Sequence, residues 1–144
     1  MQNQLEIIRK RFTADSYSKL HGIVLDNLTG DTVRMSMKLT DDKNNWFEKV
    51  HGGAIYTLAD AAFSVLANNG NNLSVALECS ITYHTAPKPG ANLVVKGETL
   101  ALSRRTGSYL FRVFMEEGGA LIPVATMKSV SYRTGKPIDP GLGQ

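Results

Sequence analysis

The sequence is poor in cysteine and has neither a long hydrophobic run nor a strong charge of one sign. Its 144 residues include one cysteine, Cys79, which excludes an intrachain disulfide and any zinc site built on paired cysteines. No run of about eighteen apolar residues occurs, so no membrane-spanning helix is expected. The opening stretch MQNQLEIIRKRF lacks the apolar centre of a signal peptide. These absences favour a cytoplasmic protein.

The net charge is only mildly basic, at +3 with histidine neutral. Lys and Arg are dispersed along the chain except at residues 9–11 and at Arg104 and Arg105. Because nucleic-acid-binding proteins usually concentrate positive charge further, we expect no nucleic-acid partner and no membrane partner. A small anionic ligand fits the charge better. The three histidines are too scattered in the sequence to indicate a metal site.

Hydrophobic periodicity divides the chain into two helices and six strands. Leu5, Ile8 and Phe12 lie at helical spacing and predict a short N-terminal helix. Two-residue alternation predicts a hairpin at HGIVLDN and DTVRMSMKLT, and later strands at SVALECSITYHT, NLVVKGETLAL, SYLFRVFMEE and LIPVATMKSVSY. Pro123 predicts an edge position or a bulge in the last strand. We find no linker, so residues 1–144 are predicted to form a single α+β domain with an antiparallel sheet.

Two finer expectations concern the second half of the chain. In SVALECSITYHT, strict alternation predicts that five side chains share one face of the strand: Val75, Leu77, Cys79, Ile81 and Tyr83. The tail RTGKPIDPGLGQ is rich in glycine and proline, and it is predicted to be frayed.

The segment VHGGAIYTLADAAFSVLANNG contains one ordinarily charged side chain, Asp60. Apolar residues cover most of the helix predicted at residues 53–68, which is typical of a buried helix. Its polar residues follow one another at steps of three or four and share one stripe: Thr57, Asp60, Ser64 and Asn68. A plain solvent-facing stripe is the simpler interpretation, but such faces usually carry Lys, Glu and Arg. A lone Asp in these surroundings indicates a pocket or cleft.

The start of this helix offers chemistry that would complement the carboxylate. Uncovered N–H groups at Gly52 and Gly53, together with the helix dipole, can bind an oxyanion that develops on a carbonyl. Asp60 can attack directly or act as a general base on water. Gly53 and Asp60 lie roughly 10 Å apart along one helix, too far to act on the same carbonyl. The spacing therefore indicates a site shared between two subunits.

The pattern formed by Asn45, HGG at residues 51–53, Asp60 and Ser64, followed by SITYHTAPKPG, resembles the hotdog-fold acyl-CoA thioesterases of the PaaI-like, phenylacetic-acid-degradation type. The resemblance extends from about residue 22 to 132. It implies a long central helix wrapped by a curved antiparallel sheet of about six strands, here with a short N-terminal helix added. It also implies a homodimer, assembling to a homotetramer, with active sites at the dimer interface.

The resemblance implies a role for each matched residue of the helix. Asp60 is the implied catalytic carboxylate, and Gly52 is the implied first oxyanion donor, with Gly53 adjacent. Many relatives carry Ser or Thr on the strand that faces the site, where Ala76 stands here. This departure concerns the network that positions water and leaves the carboxylate and the amides in place.

Three further matched residues have an ordinary structural alternative. Asn45 would help to hold the water or the carboxylate, although a loop asparagine often only makes a turn. His51 would brace the loop or assist the carbonyl, or merely cap the helix. Ser64 would place a hydroxyl beside the acid, or merely bond a backbone carbonyl.

Coenzyme A would bring phosphates, which basic side chains bind. The candidates are Arg104, Arg105, Lys88 and His84, each of which could equally be an ordinary turn or strand residue. Nearby aromatic residues could line an acyl pocket or pack locally as a hydrophobic staple: Trp46, Phe47 and Tyr56.

We therefore expect an acyl-CoA thioesterase that releases coenzyme A and a carboxylic acid from a small, medium or aromatic acyl-CoA. No metal and no bound cofactor are implied, since coenzyme A is part of the substrate. Two alternatives stay open: a hydratase or dehydratase of acyl thioesters, and a non-catalytic acyl-CoA-binding module of the same fold. The acyl group, the choice between dimer and tetramer, and the choice between nucleophile and general base also stay open.

Overall fold

The computed structural model describes residues 2–141. The helices are α1 (Gln2–Phe12), α2 (Ser16–Leu20) and α3 (Gly52–Ala67), with a 3₁₀ turn at Asp41–Lys43. The strands are β1 (Val24–Leu28), β2 (Thr32–Lys38), β3 (Ser74–Tyr83), β4 (Asn92–Leu102), β5 (Thr106–Glu117) and β6 (Ala120–Arg133). The order of elements confirms the α+β prediction. The short helix α2 was not predicted.

The six strands form one antiparallel sheet in the order β1-β2-β4-β5-β6-β3. The sheet curves around α3, which is the arrangement that the resemblance implies. Alternate side chains of the central strands point at the helix and are fully or almost fully buried; among them are Met35, Leu93, Val95, Phe111 and Val113. The sequence periodicity of these strands arises because only one face of the sheet contacts the helix.

The helix α3 is buried through an alanine-rich face. Leu58, Ala59 and Ala62 are completely inaccessible to solvent, and the small alanine side chains let the helix backbone lie close to the sheet. At its C-terminal end, the Asn68 amide donates to the Ser64 carbonyl at 2.8 Å, and its Oδ1 accepts from the Ser74 N–H at 2.8 Å. Asn68 therefore ends the helix and also fixes the start of β3.

A β-bulge in β3 corrects the expected alternation along that strand. Ala76 pairs with Ser131 whereas Glu78 pairs with Val130, so Leu77 is the extra residue. Strict alternation over the whole strand was therefore wrong, because a bulge shifts the facing of every residue before it. Ala76 instead joins Cys79, Ile81 and Tyr83 on the helix-facing side, and Val75 points the other way.

The region of Pro123 agrees with the sequence prediction. The pairing between β5 and β6 shifts between Val113 and Phe114, which face Ala125 and Pro123. Val124 is thus the extra residue of a second bulge. Proline has no N–H to donate to the neighbouring strand. A bulge is a position where such a hydrogen bond is not required.

The tail is held in place as far as Gly141, so the expectation of fraying was wrong for the described residues. Buried Asn71 accepts from the backbone N–H groups of Ile138 and Asp139 at 3.1 and 3.0 Å. Its amide donates to the Asp139 carbonyl at 3.2 Å. Asn71 has a positive φ of 51°, a conformation that asparagine tolerates better than most residues. The tail has no helix or strand, and hydrogen bonds from the Asn71 side chain hold its backbone in place.

Gly97 allows the ring of Phe111 to lie flat against β4. A Cβ atom at Gly97 would stand 2.5 Å from the Phe111 ring and 2.9 Å from Val33, and Phe111 is fully buried. We expect Gly97→Ala to lower the free energy of unfolding by about 1–3 kcal/mol, because the core must shift to admit the methyl group. Equilibrium chemical denaturation measures this loss.

The control for this prediction is Gly70→Ala. A Cβ atom at Gly70 meets nothing within 4 Å, so the change should stay within about 0.5 kcal/mol. Equal stability of the two variants would show that Gly97 is not a packing requirement.

Candidate active site

His51 caps the N-terminus of α3. Its backbone is extended, and its Nδ1 accepts a hydrogen bond from the Gly53 N–H at 2.8 Å, while its carbonyl accepts from the Ala54 N–H at 2.9 Å. Within residues 2–141, the Gly52 N–H has no hydrogen-bond partner. The capping alternative for His51 is thus present in the structure. Of the two glycine amides singled out in the sequence, that of Gly52 is available to a ligand.

Asp60 lies on the exposed side of α3, in a cleft between the helix and the beginning of β3. The cleft has a volume of about 180 Å³. Ser64 and Asn68 continue the helix wall, and Ser74, Val75 and Ala76 form the strand wall. The polar stripe of the helix therefore faces a cleft, and Ala76 stands at the strand position that the resemblance implies.

The cleft raises the pKa of Asp60 above its ordinary value. Burial disfavours the charged carboxylate, and the negative charge of Asp15 acts in the same direction. Asp15 caps α2 by accepting from the Ser18 N–H at 3.0 Å, so its position is fixed by the backbone. A carboxylate with a raised pKa next to a cleft is typical of a functional site.

Gly52 and Asp60 lie about two helical turns apart, which is about 12 Å at the α-helical rise. A thioester carbonyl cannot contact the Gly52 N–H and the Asp60 carboxylate of one helix at the same time. The geometry of a single protomer thus agrees with the separation expected from the sequence.

Two tyrosines lie beside the site: Tyr56, which the sequence suggested as one wall of an acyl pocket, and Tyr83, which the sequence interpretation did not place there. The Tyr83 hydroxyl donates to the Gly52 carbonyl at 3.2 Å and joins the end of β3 to the start of α3. Tyr56 lies midway between Gly52 and Asp60 on α3. Its hydrogen bond to the Cys79 thiol and its burial raise the pKa of Tyr56 to about 12, so its hydroxyl stays protonated. The four-residue steps from Gly52 through Tyr56 to Asp60 were the available sequence signal.

Asn45 organises the loop that leads into α3. Its Oδ1 accepts from the N–H groups of Phe47 and Lys49 at 2.9 and 3.1 Å, which is the turn-forming alternative. The loop presents Trp46 and Phe47 to solvent, with ring centroids 4.4 Å apart. Within one protomer, the Asn45 oxygen makes no hydrogen bond to Asp60.

Ser64 lies at the exposed edge of the cleft, one turn beyond Asp60. Its backbone carbonyl accepts from Asn68. Its side chain lines the cleft.

The four basic candidates fall into two groups at opposite ends of β4. Arg104 and Arg105 lie in the turn between β4 and β5, whereas Lys88 lies before β4 and makes an ion pair with Glu117. The ends of β4 are about 35 Å apart at the usual rise per strand residue. The two groups of one protomer therefore cannot contact the same phosphate.

The remaining contacts of these basic residues distinguish the two ends. His84 hydrogen-bonds Thr126 at 2.9 Å. Arg105 donates to the Tyr132 hydroxyl at 3.1 Å, and Arg133, which the sequence interpretation missed, donates to the Ser103 carbonyl at 2.7 Å. Three arginines thus gather where β4, β5 and β6 meet. Arg133 could not be recognised from sequence because strand pairing brings it to this turn.

Across residues 2–141, no group of three or more His, Cys, Asp or Glu side chains is arranged to hold a metal ion. No helix in the same part of the chain is long and apolar enough to cross a bilayer.

The sequence profile of the thioesterase superfamily matches residues 47–122, which include α3 and the cleft. The chain belongs to the thioesterase superfamily. A protein of Archaeoglobus fulgidus assigned as an esterase is 32% identical over 107 residues, which cover 74% of this chain and 68% of that protein. The acyl-coenzyme A thioesterase PaaI of Escherichia coli is 25% identical over 121 residues, 84% of each chain.

Solved structures of thioesterases share the whole architecture. The structure of Escherichia coli PaaI superposes with a TM-score of 0.86 at 22% identity, and covers 95% of this chain and 98% of its own. A thioesterase of Streptococcus pneumoniae, solved with coenzyme A, superposes with a TM-score of 0.79 at 24% identity, over 89% of this chain and 98% of its own. The hotdog fold and the PaaI-like resemblance are confirmed, and the protein is a thioester hydrolase.

The raised pKa of Asp60 predicts a cost to folding that depends on pH. The unfolded chain releases this proton near the ordinary value of 3.8 and the folded chain at higher pH, so the free energy of unfolding falls as pH rises through that interval. We expect Asp60→Asn, which removes the cost, to unfold at higher denaturant concentration than the wild type at neutral pH. The difference should vanish below pH 3.8. Denaturation at several pH values measures it.

The matched variant is Asp15→Asn, which keeps an N-cap acceptor and removes the neighbouring charge. Carboxyl NMR titration should then give a lower pKa for Asp60 than in the wild type. An Asp60 that titrates at the ordinary aspartate value in the wild type would contradict this account.

Proposed function

We propose that the protein is an acyl-CoA thioesterase in which Asp60 of one protomer and the Gly52 N–H of the partner subunit act on one thioester. The observation that carries this proposal is the position of a single raised-pKa carboxylate in a cleft, about 12 Å from the unbonded amide of its own helix. One protomer thus contains both the carboxylate that would promote attack and the amide that would bind the oxyanion, but they are too far apart to act on one thioester. The thioesterases named above support the substrate class, because one is an acyl-CoA thioesterase and another holds coenzyme A.

The outer edge of β3 is the surface that would bring two protomers together. It ends the sheet and spans ten residues, and Val75 and Leu77 are 50% and 60% exposed on it. A long exposed edge strand is a template for pairing with another chain. Antiparallel pairing of two copies of β3 would extend the sheet across both protomers. The two α3 helices would then run antiparallel, with the Gly52 end of each beside the middle of the other.

The reaction then follows from charge. The Gly52 N–H and the helix dipole stabilise the negative charge on the thioester oxygen as the carbonyl carbon is attacked. The attacking group is either the Asp60 carboxylate, which gives an anhydride that water hydrolyses, or a water whose proton Asp60 accepts. In both routes the carbon–sulfur bond breaks and coenzyme A leaves as a thiolate that takes up a proton. The raised pKa makes Asp60 a stronger base than an ordinary aspartate.

The phosphates of coenzyme A require cationic groups, which the arginine cluster at the β4–β5 turn can supply. Arg104 and Arg105 are both exposed there, and Arg133 is beside them. This turn lies at the same end of the sheet as the start of β3, which forms one wall of the Asp60 cleft. Lys88 and His84 lie toward the opposite end, so they would serve a ligand at another site of an assembly. A homotetramer and a cytoplasmic location remain predictions.

The first test removes the carboxylate and the oxyanion donor in separate variants. We expect Asp60→Asn to lower kcat/KM for acyl-CoA by at least about 10³-fold. Gly52→Pro should lower kcat by about 10²–10³-fold, because it deletes one oxyanion donor. Proline is tolerated at the first helical position, and extended His51 suits a residue that precedes proline. Thiol release from acyl-CoA measures both effects.

Gly52→Ala is the matched control, since it keeps the N–H and its Cβ would make only ordinary contact with Tyr83 at 3.5 Å. It should retain activity within a few-fold of the wild type. Near-normal turnover in Asp60→Asn would overturn the proposal. Tight acyl-CoA binding without turnover in the wild type would instead indicate a binding module.

The second test asks whether one site uses two chains. The inactive variants Asp60→Ala and Gly52→Pro are unfolded together and refolded at equal concentration. Mixed dimers would contain one site with an intact Asp60 and an intact Gly52, so about a quarter of wild-type activity should return for a twofold-symmetric dimer. Each variant refolded alone is the control. No recovery, with mixed dimers demonstrated by mass spectrometry, would show that each site belongs to one chain.

A further inference from the structure

An apolar pocket lies beside the Asp60 cleft, between α1, α3 and the C-terminal tail. Its volume is about 230 Å³. Apolar side chains from four separate segments form most of its wall: Ile8 and Phe12 of α1, Val65 of α3, Leu73 before β3, and Ile138 of the tail. The chemistry assigned to the site so far uses none of these residues.

The pocket adjoins the Asp60 cleft. Ser64 and Asn68 line both spaces, and Ser64 is one helical turn from Asp60. A ligand group attached to a carbonyl at Asp60 would reach the apolar pocket across these two polar side chains.

The two chain segments that enclose the pocket hold each other in place. Asn71 fixes the backbone of Ile138 through the hydrogen bond at 3.1 Å. Arg11 of α1 reaches Asp139 of the tail at 3.9 Å, across the pocket. Both segments lie outside residues 47–122, to which the superfamily profile matches. The pocket is thus completed by two segments that flank the shared thioesterase region, packed against α3 and Leu73 of that region.

We propose that this pocket receives the acyl group of the substrate and that Phe12, Leu73 and Ile138 set the accepted length. The inference rests on the proposed thioesterase function. An apolar cavity of about 150 Å³ is enough for benzene, so this pocket suits an acyl group of roughly six to nine carbon atoms. Apolar side chains form most of its wall, with Arg11 and Asp15 also lining it, so the pocket favours an alkyl or aryl group.

Leu73→Trp tests the proposal by filling the pocket from its exposed side. Leu73 is 41% exposed, and its backbone N–H and carbonyl bond Lys136 and Thr134, so the change alters only the side chain. The measurement is kcat/KM for acetyl-, butanoyl-, hexanoyl-, octanoyl- and dodecanoyl-CoA. We expect the ratio of octanoyl-CoA to acetyl-CoA activity to fall by at least about tenfold.

The matched control is Leu102→Trp. Leu102 is also an exposed leucine, 53% accessible at the end of β4, and it does not line the pocket. This variant should keep the wild-type ratio. An unchanged ratio in Leu73→Trp, or an equal change in both variants, would overturn the proposal.

Phe12→Ala provides a change in the opposite direction. Phe12 lines both the pocket and a second cavity of about 450 Å³ beside α1, α2 and β1. Truncation should join the two spaces, so the ratio of dodecanoyl-CoA to octanoyl-CoA activity should rise by at least about fivefold. A ratio that stays constant in a folded variant, checked by circular dichroism, would count against the pocket.

Binding measurements separate this proposal from the proposed function. In the Asp60→Ala background, isothermal titration calorimetry compares octanoyl-CoA with acetyl-CoA, with and without Leu73→Trp. A selective loss of octanoyl-CoA affinity of about tenfold supports the pocket whether or not the wild type turns over substrate. If the wild type hydrolyses acyl-CoA and Leu73→Trp changes neither selectivity nor binding, the pocket assignment fails and the thioesterase assignment stands.

Discussion

The close packing of α3 against the curved sheet is the constraint on which the rest of the structure depends. Ala59 and Ala62 leave no side-chain bulk between the helix backbone and the strands. On the sheet side, the missing side chain of Gly97 lets the ring of Phe111 lie flat against β4. Because the helix is clamped along its length, both its N-terminal amide and Asp60 are held at defined positions. A site built on a rigid element needs little rearrangement when it reacts.

Periodicity was sufficient for the elements that pack against this core. The helix predicted at residues 53–68 is observed at Gly52–Ala67. The prediction succeeded because the apolar residues that repeat along the helix are the ones that it buries. The β3 face was not predictable in this way, since one extra residue at Leu77 reverses the facing and leaves no mark in composition. The helix α2 was also missed. It has five residues, and a segment that short carries no periodic signal.

In the candidate site, too, local features were predictable and contacts between distant segments were not. Asp60 stood out because a lone acid in an apolar helix is costly to bury without a role, and it does lie in a cleft. The neighbourhood of that acid depends on contacts between distant segments, and no local pattern reveals them. Asp15 affects Asp60 from across 45 positions of sequence, and Ile138 reaches the adjoining pocket only because Asn71 holds the tail. Arg133 joins the arginines of a distant turn through strand pairing.

The cap at the start of α3 also decides where His51 carries its proton. Nδ1 can accept the Gly53 N–H only when it is unprotonated, so the neutral ring must bear its hydrogen on Nε2. The helix backbone thereby selects one tautomer and leaves an N–H donor on the far side of the imidazole.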